Sequence, residues 1–467
     1  MEYISIHEIS KKWHMKERKV TAFCRENRIA GARKVGKVWL IPSDALAPLD
    51  KRTKDFVNYT LEVKELNTTV PYSESGGEAK VIESYKNIYK RDPMYTTFTP
   101  YRLCPLGINY DFNKGHILGF TLDKGIHIAY ATKLNGIIEL ISLQYPKRAQ
   151  WHVLEPPVGI KEDWADPLRT AATELNKHYP LRIGISAVID GELPLDGLSS
   201  SNTLIITFLN ALAFANNIKL SLEELIEIAR VSEKSSKIVT NTKLDSMIEI
   251  YSKKNKLLYI DTLNDSYELL DTSKKMDYDI VILFSGLTND YDLNIYNTRT
   301  DELRTISYLI KGLNKEEYST IKETNLRDIP YELFTKYKKN LPDTFIKRGE
   351  YWYEENNRVL NGIKCYQQGD IASFGKLLTE SGTSSITNWE TGSKELIDLF
   401  NIIKDTEGVY GTRFSGSGFK RCCIALTNPK YTKKIIDTVS KSYTNKYPKL
   451  KNKYSAHICH TADGIKL

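Results

Sequence analysis

Asp196-Gly-Leu-Ser-Ser-Ser-Asn202 leads straight into an apolar run, Thr203 to Ala215. A glycine turn feeding a helix start aims backbone N–H groups that lack helical partners, and the positive end of the helix dipole, at one place. Phosphate fits such a place. Gly197, Leu198, Ser199, Ser200 and Ser201 are therefore candidate phosphate contacts, and the hydroxyls of Ser199 to Ser201 can add phosphate or divalent-metal contacts. Read alone, the same stretch also makes an ordinary serine-rich helix cap.

Two further stretches favour the phosphate reading. Thr99-Pro-Tyr-Arg-Leu-Cys-Pro-Leu-Gly-Ile-Asn-Tyr-Asp-Phe112 combines extended residues with a proline and a glycine. It predicts a strand running into a loop, the arrangement that gathers polar side chains over a site. Gly411-Thr-Arg-Phe-Ser-Gly-Ser-Gly-Phe419 places Gly416 and Gly418 among small residues ahead of an apolar strand, Cys422-Cys-Ile-Ala-Leu426. Small residues there would close a nucleotide site; a plain strand-turn is the alternative. Between the second and third stretches, Asp245 in Leu244-Asp-Ser-Met-Ile-Glu249 opens a predicted helix, either as a reactive carboxylate or as an N-cap. The strand Lys256 to Asp261 follows it.

The chain has 467 residues, which predicts two or three domains, and its 41% apolar and 27% charged residues are ordinary for a globular protein. The apolar run Leu204 to Ala215 is too short to span a bilayer, so no membrane association is expected. Lys11, Lys12, Lys16, Arg18 and Lys19 crowd the region where a signal peptide needs an apolar core, which predicts a cytoplasmic protein. Six cysteines without Cys-x-x-Cys spacing predict reduced, mostly buried thiols. His457-Ile-Cys-His460 is read as coincidence, because neighbouring positions on one strand face opposite ways.

Residues 1–50 carry ten Lys/Arg and six Asp/Glu, so +4 of the chain's net +8 lies in about a ninth of its length. Ser5-Ile-His-Glu8 fits a capping box and opens a short helix with Ile6, Ile9 and Trp13 on one face. After a turn at His14-Met15, Glu17 to Asn27 predicts a second helix with Val20, Phe23 and Cys24 inward. Ala32 to Pro42 predicts a hairpin turning at Gly36 with a basic tip. Arg18, Lys19, Arg25, Arg28 and Lys37 are the candidate DNA contacts; a solvated face on a small docking module is the other reading. This head resembles the excisionase or MerR-type winged helix over residues 3 to 48. One such head binds DNA weakly, which calls for a homodimer presenting two heads to two half-sites.

The longer part of the chain resembles a family as well. From Val81 through Tyr-Lys-Arg-Asp-Pro93 and Arg102 to Asp111-Phe-Asn-Lys-Gly115 it is similar to the opening of a galactokinase, a GHMP-type sugar kinase. The family motif there reads approximately Gly-Arg-Val-Asn-Leu-Ile-Gly-Glu-His-Thr-Asp-Tyr. The match implies that Arg102 is the catalytic-site arginine and Asp111 a sugar-hydroxyl ligand. Ile108 and Asn109 stand where the family has the Glu and His that grip the sugar's C6 hydroxyl. Loss of that carboxylate removes repulsion against an acidic C6. Tyr-Arg-x-Cys-Pro-Leu-Gly, Tyr353-Glu-Glu-Asn-Asn-Arg-Val359, Phe374-Gly-Lys-Leu-Leu-Thr-Glu-Ser381 and Gly408-Val-Tyr-Gly-Thr-Arg-Phe-Ser415 are closer to plant galacturonokinases.

The resemblance covers residues 79 to 467. It implies an α+β, two-lobed GHMP kinase fold preceded by a small winged helix-turn-helix domain. The expected divisions are head 1–48, linker 49–78 with one strand at Tyr59 to Val63, N-terminal lobe 79–270 and C-terminal lobe 271–467. ATP and Mg2+ are the implied cofactors. Ser201 and Glu233, which stands twelve residues before Asp245, would hold the metal, and Asp245 would be the base. Tyr296 either supports the sugar ring or is a half-buried core tyrosine. The chain departs from the family at Asn202-Thr203 (typically Ala-Ala), at Asp196, at Thr242-Lys243 and at Ser246 (Gln). The expected activity is phosphorylation of a sugar's anomeric hydroxyl, D-galacturonate first, then galactose or arabinose. The alternative is a sugar-sensing transcription regulator whose kinase fold has lost catalysis.

Overall fold

Ser5 and Glu8 serve each other's exposed amides as the capping box requires. Ser5 N donates to Glu8 Oε2 at 2.8 Å, and Glu8 N donates to Ser5 Oγ at 3.3 Å. They start helix Ile6–Lys12, which turns at His14 (φ 52°) into helix Glu17–Arg25. Ile9, Val20, Phe23, Cys24, Ile29 and Ile41 close a core of their own. Strand Val38–Pro42 pairs antiparallel with Tyr3–Ser5 on one side and Arg33–Val35 on the other. Arg18, Arg25 and Lys37 are exposed, and Lys19 Nζ lies 5.8 Å from the centroid of the Phe23 ring.

The computed structural model describes residues 3–25, 29, 32–43, 45, 47, 48, 77–108, 111–145, 147–156, 163–194, 197–233, 243–287, 293–317, 320–416 and 421–465. Arg28, Asn109, Asp196, Gly418 and the expected strand Tyr59 to Val63 lie outside them. The chain forms two units. One comprises Met1–Phe98, Ile126–Gly191 and Leu204–Ser235; the other comprises Thr99–Gly125, Glu192–Thr203 and Ser236–Leu467. No helix among the described residues is long and apolar enough to cross a membrane. All six cysteines are free thiols, five of them buried.

In the first unit, residues 126–133 pair antiparallel with Gly184–Gly191. That strand runs parallel to Ile137–Ser142, which pairs antiparallel with Ala149–His152. Parallel neighbours need a long crossover, and here it contains helix Asp166–His178. Helix Gly77–Tyr89 buries Val81 and Tyr85 against Ala129, Ala131, Ile141 and Val188.

The second unit has a four-stranded antiparallel sheet in the order Val409–Phe414, Cys422–Thr427, Asp279–Phe284, Ser455–Cys459. Val281, Leu283, Cys423 and Phe414 pack there with Leu399 and Phe400 of helix Lys394–Lys404 and Val439 of helix Thr432–Lys446. Helix Ile371–Thr387 meets strand Val409–Phe414 backbone to backbone. A Cβ on Gly411 would stand 1.7 Å from Gly375 O. Elsewhere in this unit, residues 116–119 pair with Leu257–Asp261, which pairs with Ser266–Leu270.

Candidate active site

The serine loop takes a tight path. Gly197 (φ 86°) and Ser199 (φ 59°) are both left-handed, a conformation that costs a serine about 1 kcal/mol or more. Helix Ser200–Ala215 begins three residues earlier than the apolar run suggests, so Ser200 and Ser201 lie in its first turn. Thr203 N donates to Ser199 O at 3.1 Å, which puts Ser199 at the helix entrance. The third motif reaches this loop, because Ser415 Oγ donates to Gly197 O at 2.6 Å.

Asp245 is the second residue of helix Leu244–Tyr251. The N-cap position belongs to Lys243, so Asp245 does not cap the helix. Arg102 Nε donates to Asp245 Oδ1 at 2.6 Å, and Ser199 Oγ donates to Oδ2 in a short contact. Thus one carboxylate joins the Thr99–Phe112 stretch, the serine loop and its own helix. Arg102 is buried; burial works against its charge, but the Asp245 carboxylate outweighs this and lifts its pKa above the usual arginine range. Arg102 Nη1 is buried without a hydrogen-bond partner among the described residues, so a donor beside Asp245 lacks an acceptor. Lys243 pairs with Asp265 at 3.0 Å.

A second carboxylate lies fully buried one turn further on. Glu249 accepts from Asn202 Nδ2 at 2.8 Å and from Thr203 Oγ1 at 2.6 Å, while Ser246 Oγ donates to Asn202 Oδ1 at 3.0 Å. Three departures from the family pattern, at Asn202, Thr203 and Ser246, therefore form one network around Glu249. Sequence reasoning missed Glu249. Its signal was the pair of hydrogen-bonding residues where small apolar ones were expected.

Among the remaining candidates, Ile108 and Leu198 are buried, Ser201 is exposed, and half-buried Glu233 ends helix Leu222–Glu233 in the first unit. Asp111 begins the short turn Asp111–Asn113, and Tyr296 lies in helix Leu293–Leu313. The side chains of Asp111 and Tyr296 lie outside the described structure.

A carboxylate fixed by an arginine beside a left-handed loop at a helix start suits phosphoryl transfer. The family profile "GHMP kinases N terminal domain" matches residues 167–253. A galacturonokinase from Arabidopsis thaliana is 30% identical over 393 residues, covering 79% of this chain and 92% of that protein. The chain belongs to the GHMP kinase family. A galactokinase from Lacticaseibacillus casei (strain BL23) is 27% identical over 405 residues, covering 83% of this chain and 98% of that protein. The fold matches that of Lactococcus lactis galactokinase complexed with galactose, with TM-score 0.73 and 23% identity over 82% of this chain and 98% of that one. This GHMP kinase is a sugar kinase, a transferase, and it uses ATP and Mg2+. The residues present suit those cofactors: among the described residues nothing answers the buried donor Arg102 Nη1, and the Gly197–Ser199 turn opens a helix.

Proposed function

We propose that the protein is a sugar 1-kinase, transferring the γ-phosphoryl of ATP to the anomeric hydroxyl of a hexose or uronic acid. The observation carrying this reading is Asp245, held between Arg102 Nε and Ser199 Oγ. Asp245 accepts the proton of the anomeric hydroxyl as that oxygen bonds to phosphorus. The bond from phosphorus to the bridging oxygen breaks, and ADP departs with its electron pair. Arg102 keeps Asp245 ionised, and its Nη1 donates to the phosphoryl oxygens. The transition state is loose, so placement of these groups matters more than base strength.

In this reading Gly197, Leu198, Ser199, Ser200 and Ser201 cradle the phosphates, while Gly416 and Gly418 border the nucleotide. Ser201 and Glu233 would hold Mg2+, which when bound would neutralise charge on the phosphates. Asp111, Asn109, Ile108 and Tyr296 face the sugar. D-Galacturonate is the favoured acceptor, with galactose or arabinose next. Apolar Ile108, where galactokinases carry a glutamate, supports this, as does the likeness to the Arabidopsis galacturonokinase. With ATP, Mg2+ and a panel of hexoses and uronates, the protein should release ADP with one acceptor, and Asp245→Asn should abolish release in a folded protein. Protein that binds a sugar yet releases no ADP with any acceptor would be a sugar-sensing regulator instead.

We further propose that residues 1–48 are a winged-helix DNA-binding domain acting in a cytoplasmic homodimer. Exposed Arg18, Arg25 and Lys37 support this, and Lys19 and Arg28 complete the proposed phosphate and base contacts. A gel shift on upstream DNA should vanish when residues 1–48 are deleted; an unchanged shift overturns the assignment.

A further inference from the structure

Pro105–Ile108 spans the end of strand Tyr95–Leu106 and the start of the loop after it, and side chains remote in sequence hold its backbone. Glu355 Oε1 accepts from Gly107 N at 3.0 Å, Ser381 Oγ at 2.7 Å and Arg413 Nη1 at 3.1 Å; Oε2 accepts from Arg358 Nε at 2.7 Å. Arg413 Nη1 also donates to Pro105 O at 3.2 Å and to Ser381 Oγ at 2.8 Å. Tyr351 OH donates to Ile108 O at 3.2 Å. Glu355 and Arg413 are fully buried. Gly107 (φ 88°) admits no side chain, since a Cβ would stand 2.4 Å from His116 O. The segments contributing Glu355, Ser381 and Arg413 are three of the four whose wording sets the chain near the galacturonokinases, and the proposed chemistry uses none of these three.

Burial pushes the Glu355 carboxyl up, but the guanidiniums of Arg358 and Arg413 outweigh it and hold the carboxyl below its usual range, so it is an anion at neutral pH. A buried ion cluster of this kind adds little net stability compared with well-packed apolar residues. Its hydrogen bonds do fix the loop's carbonyl and amide groups at Pro105, Gly107 and Ile108. Arg413 has a second connection. Two residues along the chain, Ser415 Oγ holds Gly197 O of the serine loop.

We infer that Glu355 and Arg413 are positioning residues for acceptor recognition: they set the sugar loop, while Ser415 sets the serine loop from the same strand end. The inference rests on reading Pro105–Ile108 as the sugar loop. Neither residue touches the reacting atoms. Their removal therefore changes sugar binding separately from nucleotide binding, whereas a purely structural role changes neither constant until the protein unfolds.

The test measures KM for the acceptor, KM for ATP and kcat in Glu355→Gln, Ser381→Ala and Ser415→Ala, with Arg348→Met as a stability control. Arg348 is a buried arginine paired with Glu302 and Glu390 in the same unit, and it contacts neither loop. Glu355→Gln should raise acceptor KM roughly tenfold, the loss of one charge-assisted hydrogen bond, with KM for ATP nearly unchanged. Ser381→Ala leaves both charges in place and should shift acceptor KM in the same direction by about threefold, which keeps the test decisive if Glu355→Gln fails to fold. Ser415→Ala should raise KM for ATP instead. Arg348→Met should lower the melting temperature and leave both KM values alone. An active wild type whose acceptor KM is unmoved by Ser381→Ala, or moves equally in Arg348→Met, overturns the inference. A wild type inactive with every acceptor overturns the kinase reading itself.

Discussion

Restoring the family's Ala-Ala at Asn202 and Thr203 should be strongly destabilising, although each change only deletes a side-chain end. Glu249 is fully buried and accepts one hydrogen bond from each of those residues. Removing the donor to a buried acceptor costs about 1–3 kcal/mol for each bond. Ser246 also loses its acceptor, Asn202 Oδ1. The double variant Asn202→Ala/Thr203→Ala should therefore lose roughly 2–6 kcal/mol, a large share of the 5–15 kcal/mol that holds a typical domain. Adding Glu249→Leu removes the carboxyl group that lost both donors, so the triple variant should be more stable than the double. Urea unfolding with matched m-values reads both steps. If the double variant unfolds at the wild-type midpoint, or Glu249→Leu lowers the midpoint of the double further, the network is not the coupled unit its hydrogen bonds describe.

Gly411→Ala should destabilise by about 3 kcal/mol or more, because the new methyl meets the Gly375 carbonyl and no rotamer relieves it; a wild-type unfolding midpoint would refute that contact. Stability should fall as pH drops below about 6.5. Burial lowers the pKa of His116, His152 and His457, helped by Arg327 at His116 and Lys124 at His457. The unfolded chain takes up protons in that window while the folded chain keeps these rings neutral, so each contributes a slope of up to roughly 1.4 kcal/mol per pH unit until its own lowered pKa is passed. Denaturation midpoints that stay flat from pH 7.5 to about 5.5 would contradict this. In the head, Arg18→Ala with Arg25→Ala should reduce the slope of log affinity against log salt by about 2 on any DNA; an unchanged slope removes those residues from the phosphate contacts.

The parts of the site legible in sequence were those whose signal is local. Gly197 and the serines announce a turn into a helix, and Arg102 with Asp245 carried a recognisable pattern even though 143 residues separate them. Ser200 and Ser201 were read as preceding the helix because serines favour caps; tertiary contacts of Asn202 and Thr203 draw the helix start back over them. Glu249 and Glu355 were not legible as buried groups. A glutamate in sequence reads as a solvated charge, and only the folded chain brings Asn202 to one and Arg413 to the other.

Arg413 and Ser415 sit two positions apart, yet one grips the carbonyl of Pro105 and the other the carbonyl of Gly197. This stretch of backbone works as a jig. The spacing between the two gripped loops is cast when the chain folds and does not have to be rebuilt at each turnover. Lengthening or shortening the chain by one residue between Arg413 and Ser415 would put the two loops out of gauge, even with every side chain at both loops intact.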